Sequence, residues 1–231
     1  MPLSGIHDFN ELKTWIPAQN HYGNDILRVH QTIDKLPAMS TLNLTLELER
    51  LIADIVKRMD EFSHVDPARL LVCVASTRGG GIHGAYAKIH PLCFENGQKS
   101  VVRRRGRRTA TCTMPTITHL GIEMLYVIYF LVPRFLDLPL REKLITVFHE
   151  LYHISPAFDG DIRRFPGRNY AHGSSTKRYN ACMSELVARY LENLPDHSLV
   201  GFLDGDMAAL RSRHRAIVAR RRSMPRIAFS Y

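Results

Sequence analysis

The sequence predicts an α+β domain: a small mixed or antiparallel sheet packed on one amphipathic helix and the helices that flank it. Three observations carry this. Segments 44–62, 138–154 and 176–193 repeat their apolar residues at the 3.6-residue period of a helix. Runs 69–75, 85–91, 109–114 and 124–131 have strand character and lie among Gly, Pro and Asp breakers. The 231 residues, 45% of them hydrophobic, suffice for one large domain with extensions.

Residues 1–40 read as an irregular arm, with Trp15-Ile16-Pro17 and His21-Tyr22-Gly23-Asn24 as loop with isolated apolar anchors. The main domain spans 41–195, and a basic C-terminal extension covers 196–231. The first helix puts Leu44, Leu48, Leu51, Ile52, Ile55, Met59 and Phe62 on one face, with Glu47, Arg50, Asp54 and Lys57 on the other. Asp66-Pro67 breaks it. Residues 69–75 form a buried strand, Arg78-Gly79-Gly80-Gly81 a loop, and 85–91 a second strand with His83 and His90 near its ends. Strand 124–131 then feeds through Pro133 into the helix at 138–154. Asp137 is placed to cap that helix, and Pro139 suits its first turn. Pro156 ends it, because the residue before a proline is pushed out of the α region. In the next helix Tyr179, Met183, Leu186 and Tyr190 make the buried stripe, and Pro195 closes it. The tail 207–222 is helical in period and heavily basic.

The net charge is +9 and the pI near 9.6, which favours polyanionic partners. The densest run, 99–108, holds Arg103, Arg104, Arg105, Arg107 and Arg108. It reads either as a contact for nucleic-acid phosphates or as a solvated hairpin tip. The longest apolar run, 120–132, is too short to span a bilayer and contains Glu123, so no membrane association is expected. The first residues lack the layout of a signal peptide. The four cysteines contain no C-x-x-C pair, which excludes a cysteine zinc ribbon and fits reduced thiols. A cytoplasmic location follows.

The chemistry concentrates in His149-Glu150-Leu151-Tyr152-His153. Residues four apart share a helix face, so His149 and His153 aim two imidazoles at one point, as a zinc ion requires. Glu150 lies beside that face, within reach of a water held there, and is the candidate general base. A catalytic zinc site takes a third protein ligand. Asp159 stands six residues after His153, but Pro156 occupies the turn where a glycine would let the chain double straight back. Glu185 lies on the following helix, where Arg178 and Arg189 offer it ion pairs. His172 ends the long loop just before a helix start, and imidazole matches zinc best. With His172 as the ligand, Asp159 or Asp161 becomes a partner for a ligand N–H.

Four stretches carry a family resemblance: Leu138-Pro139-Leu140-Arg141-Glu142-Lys143-Leu144, His149-Glu150-Leu151-Tyr152-His153-Ile154-Ser155-Pro156, Phe158-Asp159-Gly160-Asp161 and Tyr170-Ala171-His172. The chain resembles the phage-type metallopeptidases over about residues 68–193 and, more distantly, the SprT-like zincins. The resemblance implies a zincin-like fold, a Zn2+ cofactor and hydrolysis of protein or peptide substrates. A His-Gly before a helix supplies the third ligand in SprT-like proteins, which maps onto His172-Gly173. The chain lacks their C-terminal cysteine zinc ribbon. The competing expectation is a nucleic-acid-associated or virion or host-interaction protein that keeps a structural metal site on a peptidase scaffold.

Overall fold

The computed structural model describes residues 40–77, 84–105, 108–165 and 176–231. Strand β1 (Thr41–Asn43) runs directly into helix α1 (Leu44–Arg58). Asn43 sets that junction: its side-chain oxygen accepts the Leu46 N–H at 3.1 Å. Glu47 in the first turn and Lys57 and Arg58 in the last complement the helix dipole. The helix stops before Met59, short of the expected 62, because Met59 is extended. A 3₁₀ turn, Asp60–Phe62, then carries Phe62 back into the core.

Strands β2 (Leu70–Ser76) and β3 (Ala87–Pro91) follow. The basic run forms a hairpin of β4 (Ser100–Arg105) and β5 (Arg108–Thr113). Arg107 lies outside the described residues, and of Arg105 only the backbone is described. A tight hairpin of β6 (Thr118–His119) and β7 (Ile122–Glu123) leads to β8 (Tyr126–Val132). Helices α2 (Leu140–Tyr152), α3 (Thr176–Glu192), α4 (Ser198–Gly201) and α5 (Met207–Arg213) come next, then the short strands β9 (Ala216–Val218) and β10 (Ala228–Ser230).

The central sheet has the order β2-β8-β3, with β2 parallel and β3 antiparallel to β8. It is therefore mixed, and the whole is α+β. β8 sits in the middle because both its faces are apolar, so it is covered on both sides. Its even positions, Tyr126, Ile128 and Phe130, join the main core with α1, α2 and α3. Its odd positions, Val127, Tyr129 and Leu131, pack in a second cluster with Leu71 and Cys73 of β2. Among the described residues no helix is long and apolar enough to cross a membrane.

Two local expectations are corrected. Asp137 does not cap α2. Pro139 occupies the cap position, and the Asp137 carboxylate instead accepts the Met207 N–H at 3.2 Å, tying the start of α2 to the start of α5. The tail is not one helix over 207–222. α5 ends where His214 turns extended, and β9 pairs in parallel with β1. Val200, Leu203 and Leu210 from this last stretch are buried in the main core.

Lys143 fixes α2 against the same stretch. It is fully buried, and its ammonium donates to the carbonyls of Leu203, at 2.7 Å, and Gly205. Burial pulls its pKa below the usual lysine range, while Asp137, Asp204 and Asp206 oppose that. Lys143→Met keeps the stem and removes the donor, leaving both carbonyls short of a partner. Urea unfolding should show a loss of roughly 1.5–3 kcal/mol, the scale of a hydrogen bond to a charged group. Unchanged stability would mean that the ammonium contributes nothing net.

Candidate active site

The last turn of α2 brings His149 and His153 together. Their Nε2 atoms lie 3.0 Å apart, and the rings meet edge to face with centroids at 4.7 Å. A tetrahedral zinc ion with bonds of 2.0–2.1 Å spaces two ligand nitrogens by about 3.3 Å. The imidazole pair therefore fits such an ion with a shift of a few tenths of an ångström.

The chain after α2 closes the helix end. Arg163 donates its backbone N–H to His153 O at 2.7 Å and its side chain to Tyr152 O at 2.8 Å, and its guanidinium lies 4.2 Å over the Tyr152 ring. Both carbonyls belong to the group that a helix end leaves without partners. Ile154 and Ile162 pair as an antiparallel bridge, so the chain does double back after α2 despite Pro156. Pro156 lies inside a turn in which the Phe158 N–H donates to Ser155 O at 2.9 Å, and the reversal is completed by positive φ at Phe158, +49°, and Gly160, +87°. A Cβ there would meet Cys93 Sγ at 2.6 Å, so glycine is required twice over. Tyr126 OH donates to Asp161 O at 2.8 Å and accepts the Gly160 N–H at 3.0 Å.

This turn also uses its own carboxylates. Asp159 accepts the Asp161 N–H at 3.2 Å, and Asp161 holds the Arg164 guanidinium through two contacts of 2.9 and 3.0 Å. Glu185 is exposed on α3, and Arg189 pairs with Glu61. Among the described residues no group of three His, Cys, Asp or Glu side chains is placed to hold a metal ion. His172 lies outside the described residues.

Glu150 is 7% exposed. Burial pushes its pKa up to about 7, and a hydrogen bond from the Ile89 backbone pulls the other way. That bond follows from the sheet. Leu131 N–H donates to Tyr86 O, so by the alternation of an antiparallel pair Lys88 and His90 face β8, and Ile89 faces the free edge. The edge of β3, the outer face of α2 and α3 enclose a cavity of about 470 Å³. Its walls include Tyr86 and Ala87, His149 and Glu150, and Asn180 and Ser184. A carboxylate lining such a cleft beside the His149 imidazole can take and return a proton.

Tyr179 is the site residue that sequence reasoning missed, reading it only as part of a buried stripe. Its ring stacks on His153 at 5.9 Å, meets His149 edge-on at 5.0 Å, and its hydroxyl lies 3.4 Å from His149 O. Burial, and then the nearby Glu150 charge, push its phenol above the usual tyrosine range. No local pattern ties Tyr179 to the motif on α2; only tertiary packing does.

A family model described as "Putative phage metallopeptidase" matches residues 42–179. The chain belongs to this family. The match runs from β1 through α2 to Tyr179 itself, and so takes in both histidines, Glu150 and the edge strand. No curated protein and no solved structure matches the chain. The family's description implies a metal cofactor and suggests protein or peptide substrates.

Tyr179 packs against both imidazoles and is placed to hold their orientation. Tyr179→Ala should weaken metal binding roughly ten-fold, the usual scale for losing an outer contact to a ligand. Tyr179→Phe keeps the ring and should stay close to the parent. Chelator competition measures both. Equal losses in the two variants would assign the effect to the hydroxyl instead.

Proposed function

We propose that this chain is a zinc-dependent peptidase of zincin-like fold, in which His149, His153 and His172 hold the ion and Glu150 is the general base. The observation that carries this is the pair of Nε2 atoms at 3.0 Å with a buried glutamate between them in sequence. Zinc bound there would polarise the scissile carbonyl and make water a competent nucleophile near neutral pH. Glu150 accepts the proton from that water and delivers it to the leaving amine. Burial raises its pKa, which favours returning the proton, while a cation held beside it would favour the carboxylate form that accepts one. Beyond the Ile89 N–H that Glu150 takes, the outer edge of β3 offers the Ala87 N–H and the Ala87 and Ile89 carbonyls to an extended peptide, which would add to the sheet as a further strand and present its carbonyl to the cleft. Asp159 serves as an outer partner, or as the ligand in place of His172.

A metal site that only stabilised the scaffold would need no proton acceptor at Glu150, nor an open cleft beside it. The same two features weigh against a nucleic-acid-associated or virion protein whose metal is purely structural.

The purified protein should take up about one zinc per chain, removable by chelator, by elemental analysis. Glu150→Gln should keep the metal and the fold while turnover of a peptide substrate falls by at least roughly two orders of magnitude. His172→Ala should lower metal retention more than Asp159→Ala does. The reverse order would make Asp159 the ligand, and full turnover by Glu150→Gln would end the proposed mechanism.

A further inference from the structure

Two stretches of this chain, 100–122 and 207–231, contain no Asp, no Glu and no Lys. They hold five and seven arginines respectively. They are far apart in sequence, yet the fold joins them: β10 pairs antiparallel with β5, giving a three-stranded sheet β10-β5-β4. Tyr129 OH donates to Ser223 O at 2.9 Å, fixing the path of the tail just before it reaches that sheet. We propose that this sheet and the tail leading into it form a binding surface for single-stranded nucleic acid.

The residue types fit that partner. Arg103, Arg104 and Arg108 are exposed on the hairpin, and Arg221, Arg222 and Arg226 are exposed on the tail. A planar guanidinium pairs with phosphate through two bonds and stacks on bases, which an ammonium does not. Between the arginines stand exposed aromatics: Phe229 is 50% exposed and Tyr231 71%. Aromatic rings beside a cationic track are what unpaired bases stack on, whereas a duplex keeps its base faces buried.

The register sorts the sheet into two faces. Arg103, Ala110, Cys112 and Phe229 share one; Ala110 and Cys112 are buried there, and the exposed Arg103 and half-exposed Phe229 form its accessible rim. The other carries Val102 and Arg104 opposite Thr111 and Thr109. Ser100 and Thr113 are hydrogen-bonded beside them at 3.0 Å. Hydroxyls suit sugar and phosphate but are costly to bury among acyl chains, so this face favours nucleic acid over a lipid surface. None of these residues lines the β3 cleft, and the proposal does not rest on the peptidase reading.

The test uses the full chain, a labelled twenty-nucleotide oligothymidine, its duplex with oligoadenine, and phosphatidylserine vesicles. The parent should bind the single strand more tightly than the duplex, with affinity falling steeply as salt rises. Arg103→Glu with Arg104→Glu should weaken binding and flatten that dependence. Arg50→Glu with Lys57→Glu, an equal charge change on α1, should leave the slope near the parent's. Phe229→Ala should weaken binding roughly five-fold or more at fixed salt without changing the slope, because stacking is not ionic. Glu150→Gln should bind as the parent does. Any of four results would overturn the proposal: no oligonucleotide binding at low salt, tighter binding to duplex, binding to vesicles alone, or equal losses in the hairpin and α1 variants. Circular dichroism confirms that each variant is folded, and the Phe229 variant tests the surface independently should the hairpin variant fail to fold.

Discussion

The four-residue separation of His149 and His153 on α2 is the constraint on which the rest depends. A helix places such residues one turn apart, and here that leaves their Nε2 atoms 3.0 Å apart. Two imidazoles hold that spacing only while the last turn of α2 stays wound, and a helix end is where winding is weakest. The surroundings act on that weakness. Arg163 satisfies the carbonyls of Tyr152 and His153, while Tyr179 reaches the carbonyl of His149. The C-terminal end of a helix also carries partial negative charge, which favours a cation between the two rings.

The other end of α2 is held differently. It has no side-chain cap; instead the buried Lys143 ammonium binds the Leu203 and Gly205 carbonyls, and Asp137 takes the Met207 N–H. The stretch from α4 to α5 thus serves as a clamp on the motif helix. Between the two ends, β3 is the fixed wall. Being antiparallel to β8 at the sheet edge, it turns the Ile89 N–H toward Glu150. Burial raises the Glu150 pKa and this bond lowers it, and burial wins. One strand edge therefore both tunes the candidate base and frames the cleft.

The motif and its helix were legible because their information is local, a 3.6-residue period with Pro139 at its start, although the helix stops at Tyr152, before Pro156 could end it. The strands of the central sheet were legible for the same reason, as β-branched and aromatic runs between Gly, Pro and Asp breakers. What was not legible depended on distant residues. Asp137 looked like a cap until Pro139 took the position and Met207 offered another donor. The tail looked helical until β1 offered Ala216, Ile217 and Val218 a parallel partner. Tyr179 reaches the histidines only through the packing of α3 on α2. The doubling back after α2 was discounted because of Pro156, but Pro156 fits inside the Ser155–Phe158 turn and the positive φ falls on Phe158 and Gly160.

X-ray absorption at the zinc edge of the loaded protein tests the central claim most directly, because it reads the ligand shell without a substrate. The expected result is a shell of nitrogen and oxygen at roughly 2.0–2.1 Å, with imidazole scattering from more than one ring that is lost when His149 or His153 is replaced. A sulfur shell near 2.3 Å, or a spectrum indifferent to both substitutions, would contradict it.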